Sequence, residues 1–374
     1  MIYKSYGNTG IKVSILGFGA MRLPKKKFKG ESRIDEEKSI EIIHEGFKRG
    51  INYIDTAYPY CNKQSEMIVG KAISDWSGKI YVSTKIPTWL IKKRGDYRKF
   101  LEMQLKRLKV DYIDFYHFHG LDKYRFKDIV LKNKLLEQAQ KIKEEGLIKF
   151  ISFSFHDLPE VMKKIIDTEA FDTVLCQYSV MDITNEKSIA YANKKGLGVA
   201  VMGPLGGGRI LNLRLLKGFR NMDSKDLIKL GLKFVFSNKN ISLALSGMES
   251  LEMVRHNTEI AGSKLRFTKH EKKIIKKLIS LYNLKRKDLI ECNYCNYCIQ
   301  CPENIPIPKI FRLMNYYTLT GLEGPTKLRY KKIHSENEGN LGDSCIECLD
   351  CEENCPQNIE ITKMLKKIHN TLYI

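Results

Sequence analysis

Short runs of β-branched and aromatic residues alternate with amphipathic stretches from residue 12 to residue 261. The runs have the length and composition of buried strands, and the stretches repeat apolar residues at helical spacing. Strands are predicted at residues 14–19, 53–56, 80–85, 112–119, 148–153, 173–178, 198–202 and 241–246. Helices are predicted at residues 36–49, 65–75, 96–108, 130–145, 158–167, 187–194, 225–236 and 251–261.

Eight strands, each followed by a helix within about 250 residues, predict an α/β fold of the (β/α)8 TIM-barrel type. A doubly wound open sheet is the alternative, but such a sheet usually opens with a glycine-rich phosphate-binding fingerprint. The segment from Ile15 to Met21 has two glycines and lacks a third at the required spacing. The first 13 residues alternate apolar and polar positions around a turn signal at Gly7 to Gly10, which predicts an N-terminal hairpin.

The composition changes abruptly near residue 290, where a basic body gives way to a segment rich in cysteine, proline and tyrosine. The first 290 residues hold 55 Lys/Arg and 32 Asp/Glu, whereas residues 291–374 hold 9 and 11. A basic body attracts nucleic acid, a phosphorylated cofactor or an acidic redox partner, and a lysine-rich solvated surface is the plainer interpretation. No basic–aromatic motif supports nucleic-acid recognition. We predict a barrel over residues 1–265, a helical connector over 266–290 and a small domain over 291–374.

The N-terminus is polar and lacks the basic start and apolar stretch of a signal peptide. No apolar run reaches the length of a membrane-spanning helix. We therefore expect a cytoplasmic protein without a membrane partner.

Eight of the ten cysteines lie in the last 83 residues, in two runs that each end in Cys-Pro. The first run is Cys292, Cys295, Cys298 and Cys301; the second is Cys345, Cys348, Cys351 and Cys355. The second has the bacterial ferredoxin spacing for 4Fe–4S clusters, and the first departs from it by one residue before its last cysteine. Three closely spaced cysteines wrap three corners of a cubane cluster, and a distant Cys-Pro supplies the fourth, usually of the other cluster.

Zinc is the alternative occupant, because two CxxC pairs in each run would give two tetrahedral sulfur sites. Zinc modules usually separate their pairs by a longer loop, and a secreted disulfide framework does not suit a large body without a signal peptide. The 43-residue insert between the runs carries a predicted helix at 308–319. We predict a mainly helical ferredoxin-like domain with two 4Fe–4S clusters. Outside the runs, Cys176 is predicted in the core, and Cys61 at the barrel mouth.

Functional groups of a TIM barrel gather at the C-terminal ends of its strands. Those ends carry Asp55 with Tyr60 in the next loop, then Lys85, then His119. A nearby ammonium favours the ionised form of a phenol, which otherwise is a poor acid at neutral pH. Asp55 would hold Lys85, and His119 would orient a substrate carbonyl. Taken singly, Asp55 also suits a helix cap, Tyr60 a loop-packing aromatic and Lys85 a solvent-facing side chain. His117 lies on the same side of the strand as His119, so either histidine suits the functional role.

The segments around these residues resemble the aldo-keto reductase family over residues 1–262. Residues 50–60 have the family's five-residue step between a catalytic aspartate and tyrosine, and Ser65, Glu66 and Gly70 continue that motif. Residues 81–85 resemble the lysine strand, and residues 108–114 resemble the segment leading to the histidine, in a register that selects His119. Asn8-Thr9-Gly10 resembles the family's N-terminal hairpin.

The resemblance implies reduction of a small aldehyde or ketone by NAD(P)H, with Asp55, Tyr60, Lys85 and His119 as catalytic residues and Tyr60 as the proton donor. The implied cofactor-binding residues are Ser154, Gln177, Gly203, Pro204, Leu205, Gly247, Arg255 and Asn257. The family often has asparagine after the serine, where this chain has Phe155 and His156. The positions that often hold a 2′-phosphate are Gly247 and Met253, for which Arg255 or His256 would substitute. NADPH is therefore the expected cofactor, and NADH is the alternative.

The leading interpretation is an NAD(P)H-dependent aldo/keto reductase with an attached electron-transfer domain, whose partners are a carbonyl compound and an acidic electron-transfer protein. A redox sensor that has lost turnover is one alternative. An adaptor between NAD(P)H and a ferredoxin-type partner is another, but hydride donors usually need a flavin to feed one-electron clusters. No flavin motif is visible in the sequence.

Overall fold

The computed structural model describes residues 1–28, 31–215, 219, 221–292, 294, 297–298, 300–336, 338–355 and 357–373. The chain forms two compact units. The first consists of Met1–Pro204 and Lys229–Lys269, and the second of Leu205–Ile228 and His270–Ile374. The domain limits expected from the sequence stay a prediction.

The first unit is built around a closed barrel of eight parallel strands. The strands are β1 (Leu16–Gly19), β2 (Tyr53–Asp55), β3 (Tyr81–Ile86), β4 (Ile113–Leu121), β5 (Ile148–Phe155), β6 (Thr173–Gln177), β7 (Gly198–Met202) and β8 (Leu243–Ser246). Each pairs with the next along the chain, and β8 pairs with β1. The predicted TIM barrel is confirmed, with a strand at each of the eight predicted positions.

A helix follows every barrel strand. These helices are α1 (Glu36–Lys48), α2 (Ser65–Ser74), α3 (Asp96–Leu108), α4 (Leu135–Glu144), α5 (Pro159–Ile166), α6 (Glu186–Lys194), α7 (Ser224–Phe236) and α8 (Leu251–Gly262). Local signals set several of their starts: Asp35 and Ser250 accept hydrogen bonds from backbone N–H groups in the first turns of α1 and α8. A separate π-helical segment, Arg125–Leu131, precedes α4, where the sequence pattern predicted one helix from residue 130.

Two hairpins accompany the barrel. Tyr3–Ser5 pairs antiparallel with Lys12–Ser14, which confirms the predicted N-terminal hairpin. Lys25–Phe28 pairs antiparallel with Glu31–Ile34, a hairpin that the sequence pattern did not predict. Shorter helical turns in this unit are Tyr60–Lys63 and Thr88–Leu90.

The N-terminal hairpin closes the end of the barrel where the strands begin. The buried ring of Tyr6 lies 5.8 Å from that of Tyr53 and 4.9 Å from that of Phe115. Its turn presses on the start of β7, because a Cβ on Gly7 would lie 2.2 Å from the backbone nitrogen of Gly198. With φ of +57° as well, this turn requires glycine. The hairpin thus leaves the C-terminal ends of the strands as the open mouth.

The second unit contains α9 (Lys269–Lys285), α10 (Ile307–Thr320), α11 (Glu323–Ser335) and α12 (Ile361–Leu372). Shorter helical turns are Gly206–Leu215, Arg286–Asp288, Gly342–Ser344 and Asp350–Glu353. The helix α10 lies where a helix was predicted between the cysteine runs. Its Asn315 accepts from the backbone nitrogen of Ile290 and donates to the carbonyl of the same residue, both at 2.8 Å. These two hydrogen bonds fix the chain just before the first cysteine run.

Among the described residues, no helix is both long and apolar enough to cross a membrane. The cytoplasmic location stays a prediction.

Candidate active site

A buried ion pair lies at the barrel mouth, formed by the ends of β2 and β3. Nζ of Lys85 lies 2.6 Å from Oδ2 of Asp55 and donates to the carbonyl oxygen of Thr56 at 2.7 Å. The hydroxyl of Ser83 donates to the other carboxylate oxygen at 2.9 Å. Both charged side chains are almost wholly buried, at 1% and 4% exposure. The ammonium is therefore held in one place by the Thr56 carbonyl and by the Asp55 carboxylate, which Ser83 fixes in turn.

The ion pair decides the charge of Lys85. Burial alone would lower the pKa of its ammonium, because a buried site disfavours the charged form. The Asp55 carboxylate and the Tyr60 phenol outweigh burial, and the pKa of Lys85 is raised above its usual value. Burial raises the pKa of Asp55, against the opposing effect of Lys85. Lys85 thus keeps its proton at neutral pH.

Tyr60 lies directly beside this ammonium. Its side chain is hydrogen-bonded with Lys85, whose Nζ is 4.7 Å from the centre of the phenol ring. The next three residues, Cys61, Asn62 and Lys63, all have φ between 51° and 66°. Non-glycine residues in this left-handed region are strained, and such strain persists only where the surrounding structure enforces it.

The start of α2 supplies that enforcement. The hydroxyl of Ser65 hydrogen-bonds with that of Thr56 at 2.7 Å and donates to the carbonyl of Ala20 at 2.8 Å. The buried carboxylate of Glu66 accepts from the Thr84 hydroxyl at 2.7 Å and pairs with Arg107 at 3.2 Å. The motif predicted around Ser65 and Glu66 therefore ties the loop that carries Tyr60 to the strands β2 and β3.

His119 faces Tyr60 across the mouth. The two rings meet edge to face, with centroids 6.1 Å apart, and Nδ1 of His119 is buried without a hydrogen-bond partner in the described part of the chain. Burial, followed by the charge of Lys85, holds the pKa of His119 well below its usual value. The ring is therefore a neutral imidazole. His117, two residues earlier on β4, is fully buried, and burial lowers its pKa to about 3.

The structure thus brings together the four predicted catalytic residues, and three more that the sequence did not indicate. The Trp89 ring lies 5.0 Å from that of His119, and the Arg125 guanidinium lies 5.9 Å from the Trp89 ring. His156 is half-buried, and burial, followed by the charges of Arg125 and Lys85, lowers its pKa to about 4. These residues stand in loops just after strand ends, and only that position could have indicated them.

The predicted nicotinamide contacts lie on neighbouring strands. Ser154 is buried on β5, and its Oγ accepts from the backbone nitrogen of Gly120 at 2.7 Å. Gln177 ends β6 and is half-buried. Its backbone carbonyl oxygen accepts a hydrogen bond from the side-chain amide of Asn185 at 3.0 Å. After β7, Gly203 is exposed with φ of +63°, and Pro204 is buried. Leu205 begins the second unit, and its predicted cofactor contact stays a prediction.

The predicted adenosine-phosphate segment joins β8 to α8. Buried Asn257 donates to the Ser246 hydroxyl at 3.2 Å and so ties the helix to the strand. Gly247, which directly follows the last residue of β8, has no side chain that could contact a phosphate. Arg255 is exposed and its Nε pairs with Glu45 at 3.0 Å, so a 2′-phosphate would compete with this carboxylate for the guanidinium.

Five cysteines of the second unit line one cavity of about 140 Å³, namely Cys298, Cys301, Cys345, Cys348 and Cys351. Burial, followed by the charges of Glu352, Cys345, Cys301 and Cys348, raises the pKa of Cys351 to about 12. Crowded thiols resist ionisation unless a cation stabilises the thiolates, as an iron centre does.

A second pair of thiols adjoins that group. Burial raises the pKa of Cys292, and neighbouring Cys355 adds to the rise. The cysteines described by the structure are all free thiols; Cys295 lies outside the described residues. Thiols from both runs therefore lie near one another. Within the described residues, no three cysteine, histidine or acidic side chains are arranged so that they could hold a metal ion.

Comparisons with known proteins match a different family to each of two parts of the chain. The sequence model of the Aldo/keto reductase family matches residues 15–280, and that of the 4Fe-4S dicluster domain matches residues 291–360. An L-galactose dehydrogenase of Arabidopsis thaliana is 29% identical over 283 residues, which are 68% of this chain and 86% of the plant protein. An aldo-keto reductase from Bacillus halodurans, solved in its holo form, is 25% identical with a TM-score of 0.62, covering 74% of this chain and 96% of that one.

Proposed function

Because the chain belongs to the aldo/keto reductase family and carries a C-terminal 4Fe–4S dicluster domain, we propose that its barrel reduces the carbonyl group of an aldehyde or ketone with NAD(P)H. The observation that carries this proposal is the buried Asp55–Lys85 pair in contact with the Tyr60 phenol, opposite a neutral His119. This arrangement suits delivery of a proton to a carbonyl oxygen that gains negative charge.

Each residue has a separate part in the reaction. Tyr60 donates its phenolic proton to the carbonyl oxygen as a general acid. The fixed ammonium of Lys85 stabilises the phenolate that remains, and Asp55 holds that ammonium in place. His119 donates a hydrogen bond to the same carbonyl oxygen, which a neutral ring with one N–H can do. When bound, NAD(P)H supplies the hydride for the carbonyl carbon.

The residues proposed to hold the dinucleotide lie at or just after the ends of β5 to β8 and on α8: Ser154, Gln177, Gly203, Pro204 and Gly247 on the rim, with Arg255 and Asn257 on the helix. Residues that end neighbouring strands share one rim of a barrel, so they suit one elongated ligand. NADPH is proposed over NADH only through Arg255, whose release from Glu45 would expose a cation to a 2′-phosphate.

We propose two 4Fe–4S clusters, each completed by the Cys-Pro of the other run. Cys345, Cys348, Cys351 and Cys301 would hold one, which their shared cavity supports. Cys292, Cys295, Cys298 and Cys355 would hold the other, supported by the proximity of Cys292 to Cys355. When bound, such clusters supply one-electron transfer.

Anaerobic purification is expected to yield about eight iron and eight sulfide per chain, because two complete sets of four cysteines are present. Metal and acid-labile sulfide analysis measures both quantities on the same sample. Four iron per chain would show that one set is empty, and stoichiometric zinc without sulfide would contradict the cluster assignment.

A redox sensor or an adaptor without carbonyl turnover is the second candidate, favoured by the same cysteine cavity. Steady-state oxidation of NAD(P)H by an added aldehyde separates the two, since a sensor would not sustain it.

The basic body of the chain suits the acidic electron-transfer partner expected from the sequence. Residues 343–362 around the second run, however, hold six acidic and no basic residues, so a partner that docks there would need a basic face.

A further inference from the structure

Arg125 lies against the backbone directly beyond His119. It opens the π-helical segment after β4, and its Nη1 donates to the carbonyl oxygen of Gly120 at 2.9 Å. A Cβ on Gly120 would lie only 3.1 Å from this nitrogen, and φ at Gly120 is +64°. Glycine at this position therefore makes room for the guanidinium at the mouth.

The Arg125 guanidinium is partly exposed, and part of its hydrogen-bonding capacity is unused. The side chain is 16% exposed. Asp122 accepts from the Arg125 backbone nitrogen at 2.7 Å, and its other oxygen is 3.6 Å from Nη1. In the described part of the chain, Nη2 and Nε have no hydrogen-bond partner. A guanidinium edge of this kind matches the two oxygens of a carboxylate.

Charged groups of both signs lie around this edge. The ionic groups that act on His119 and His156 are Lys85 and Arg125, both of which disfavour protonation of the rings. The nearby carboxylate of Asp55 is already paired with Lys85 at 2.6 Å. The Asp122 carboxylate, 3.6 Å from Nη1, offsets part of the charge of Arg125, so an anion on a substrate would be held by direct hydrogen bonds to the Nη2–Nε edge.

We infer that the barrel mouth selects carbonyl compounds that carry a carboxylate, and that Arg125 binds this carboxylate through its Nη2–Nε edge. The Trp89 ring adjoins both His119 and Arg125, so the carbon skeleton would rest on it. The substrates would be oxo acids with a short or aromatic spacer between carbonyl and carboxylate. This inference rests on the proposed carbonyl reduction.

The test compares 4-carboxybenzaldehyde with its methyl ester, which has nearly the same shape without the charge. Hydrogen bonds to charged groups contribute enough to predict that Arg125→Gln lowers kcat/KM for the acid by about 10- to 100-fold. The ester should change by less than about threefold, because its carbonyl still meets Tyr60 and His119. Arg125→Lys keeps the charge without the fork and should fall between the wild type and Arg125→Gln.

Lys127→Gln is the matched control, because it removes an exposed positive charge from the same helical segment. It should leave both substrates unchanged, since an exposed charge is screened by solvent and salt. An equal loss in Lys127→Gln and Arg125→Gln would show general attraction by the basic surface and would overturn a specific contact.

Benzoate binding gives a measurement that does not need turnover. In a Trp76→Phe background, Trp89 is the one remaining tryptophan, and its fluorescence should respond to benzoate with a Kd that rises at least about tenfold in Arg125→Gln. If wild-type enzyme reduces ester and acid equally well and Arg125→Gln alters neither, the inference fails while the proposed function stands. If neither aldehyde is reduced, the proposed function fails and the inference with it.

Discussion

Replacement of Tyr60 by phenylalanine is expected to lower kcat/KM for carbonyl reduction by about 10²–10⁴-fold, the usual contribution of a general acid. Phenylalanine keeps the ring that lies edge to face with His119 and 4.7 Å from the Lys85 ammonium, and it removes only the acidic proton. Steady-state oxidation of NAD(P)H with one aldehyde, compared between the variant and wild type, measures the effect.

Iron and sulfide content should not change in Tyr60→Phe, because the cysteines of the two runs belong to the other unit. The reverse control is Cys348→Ser, which removes a cysteine that lines the cavity in the second unit and is proposed as a cluster ligand. That variant should lose a cluster and its one-electron exchange with dyes, yet retain carbonyl reduction. Loss of both activities in a folded Cys348→Ser protein would mean that the clusters feed or support the barrel site.

Replacement of Lys85 by methionine should damage both activity and stability. It leaves the Asp55 side chain, 4% exposed, without its cation, and removing one partner of a buried pair typically costs about 3–5 kcal/mol in the free energy of unfolding. Loss of the ammonium beside Tyr60 should also lower kcat/KM by at least about 10²-fold. Urea unfolding followed by far-UV circular dichroism measures the first effect, and steady-state kinetics the second.

The double variant Asp55→Asn with Lys85→Met separates the two losses. It no longer buries an unpaired charge, so it should regain most of the stability lost in Lys85→Met. Activity should not return, because the ammonium is still missing. A double variant that is as unstable as Lys85→Met would contradict the ion-pair explanation, and one that regains activity would contradict the role of Lys85.

The barrel could be predicted from the sequence because each strand leaves a local signal. A run such as Gly198–Met202 is apolar throughout because both faces of a parallel barrel strand are buried. The predicted catalytic positions followed from the same signal, since Asp55, Lys85 and His119 lie at or near strand ends. The antiparallel hairpin Lys25–Phe28 with Glu31–Ile34 escaped prediction because three of the four residues in its first strand are lysines, which lack the usual alternation of a half-buried strand.

Other features depend on how the loops fold and could not be predicted from the sequence alone. Trp89 and Arg125 come from different loops, and only the folded chain shows that they adjoin His119. Arg255 could be predicted as a phosphate ligand, but its ion pair with Glu45, 210 residues away along the chain, could not. The segment Leu205–Ile228 groups with the second unit, and the sequence alone could not show this because long-range packing decides where a connecting segment lies.

Transfer of a deuterium label tests most directly whether the barrel reduces carbonyls by hydride transfer. NAD(P)H carrying deuterium at the transferable position of C4 would be mixed anaerobically with the enzyme and an aldehyde, and the alcohol analysed by mass spectrometry and NMR. We expect one deuterium on the carbinol carbon, with the hydroxyl proton drawn from Tyr60 and solvent. An alcohol whose carbinol hydrogen comes from solvent would contradict direct hydride transfer, since electrons and protons would then have reached the carbonyl separately.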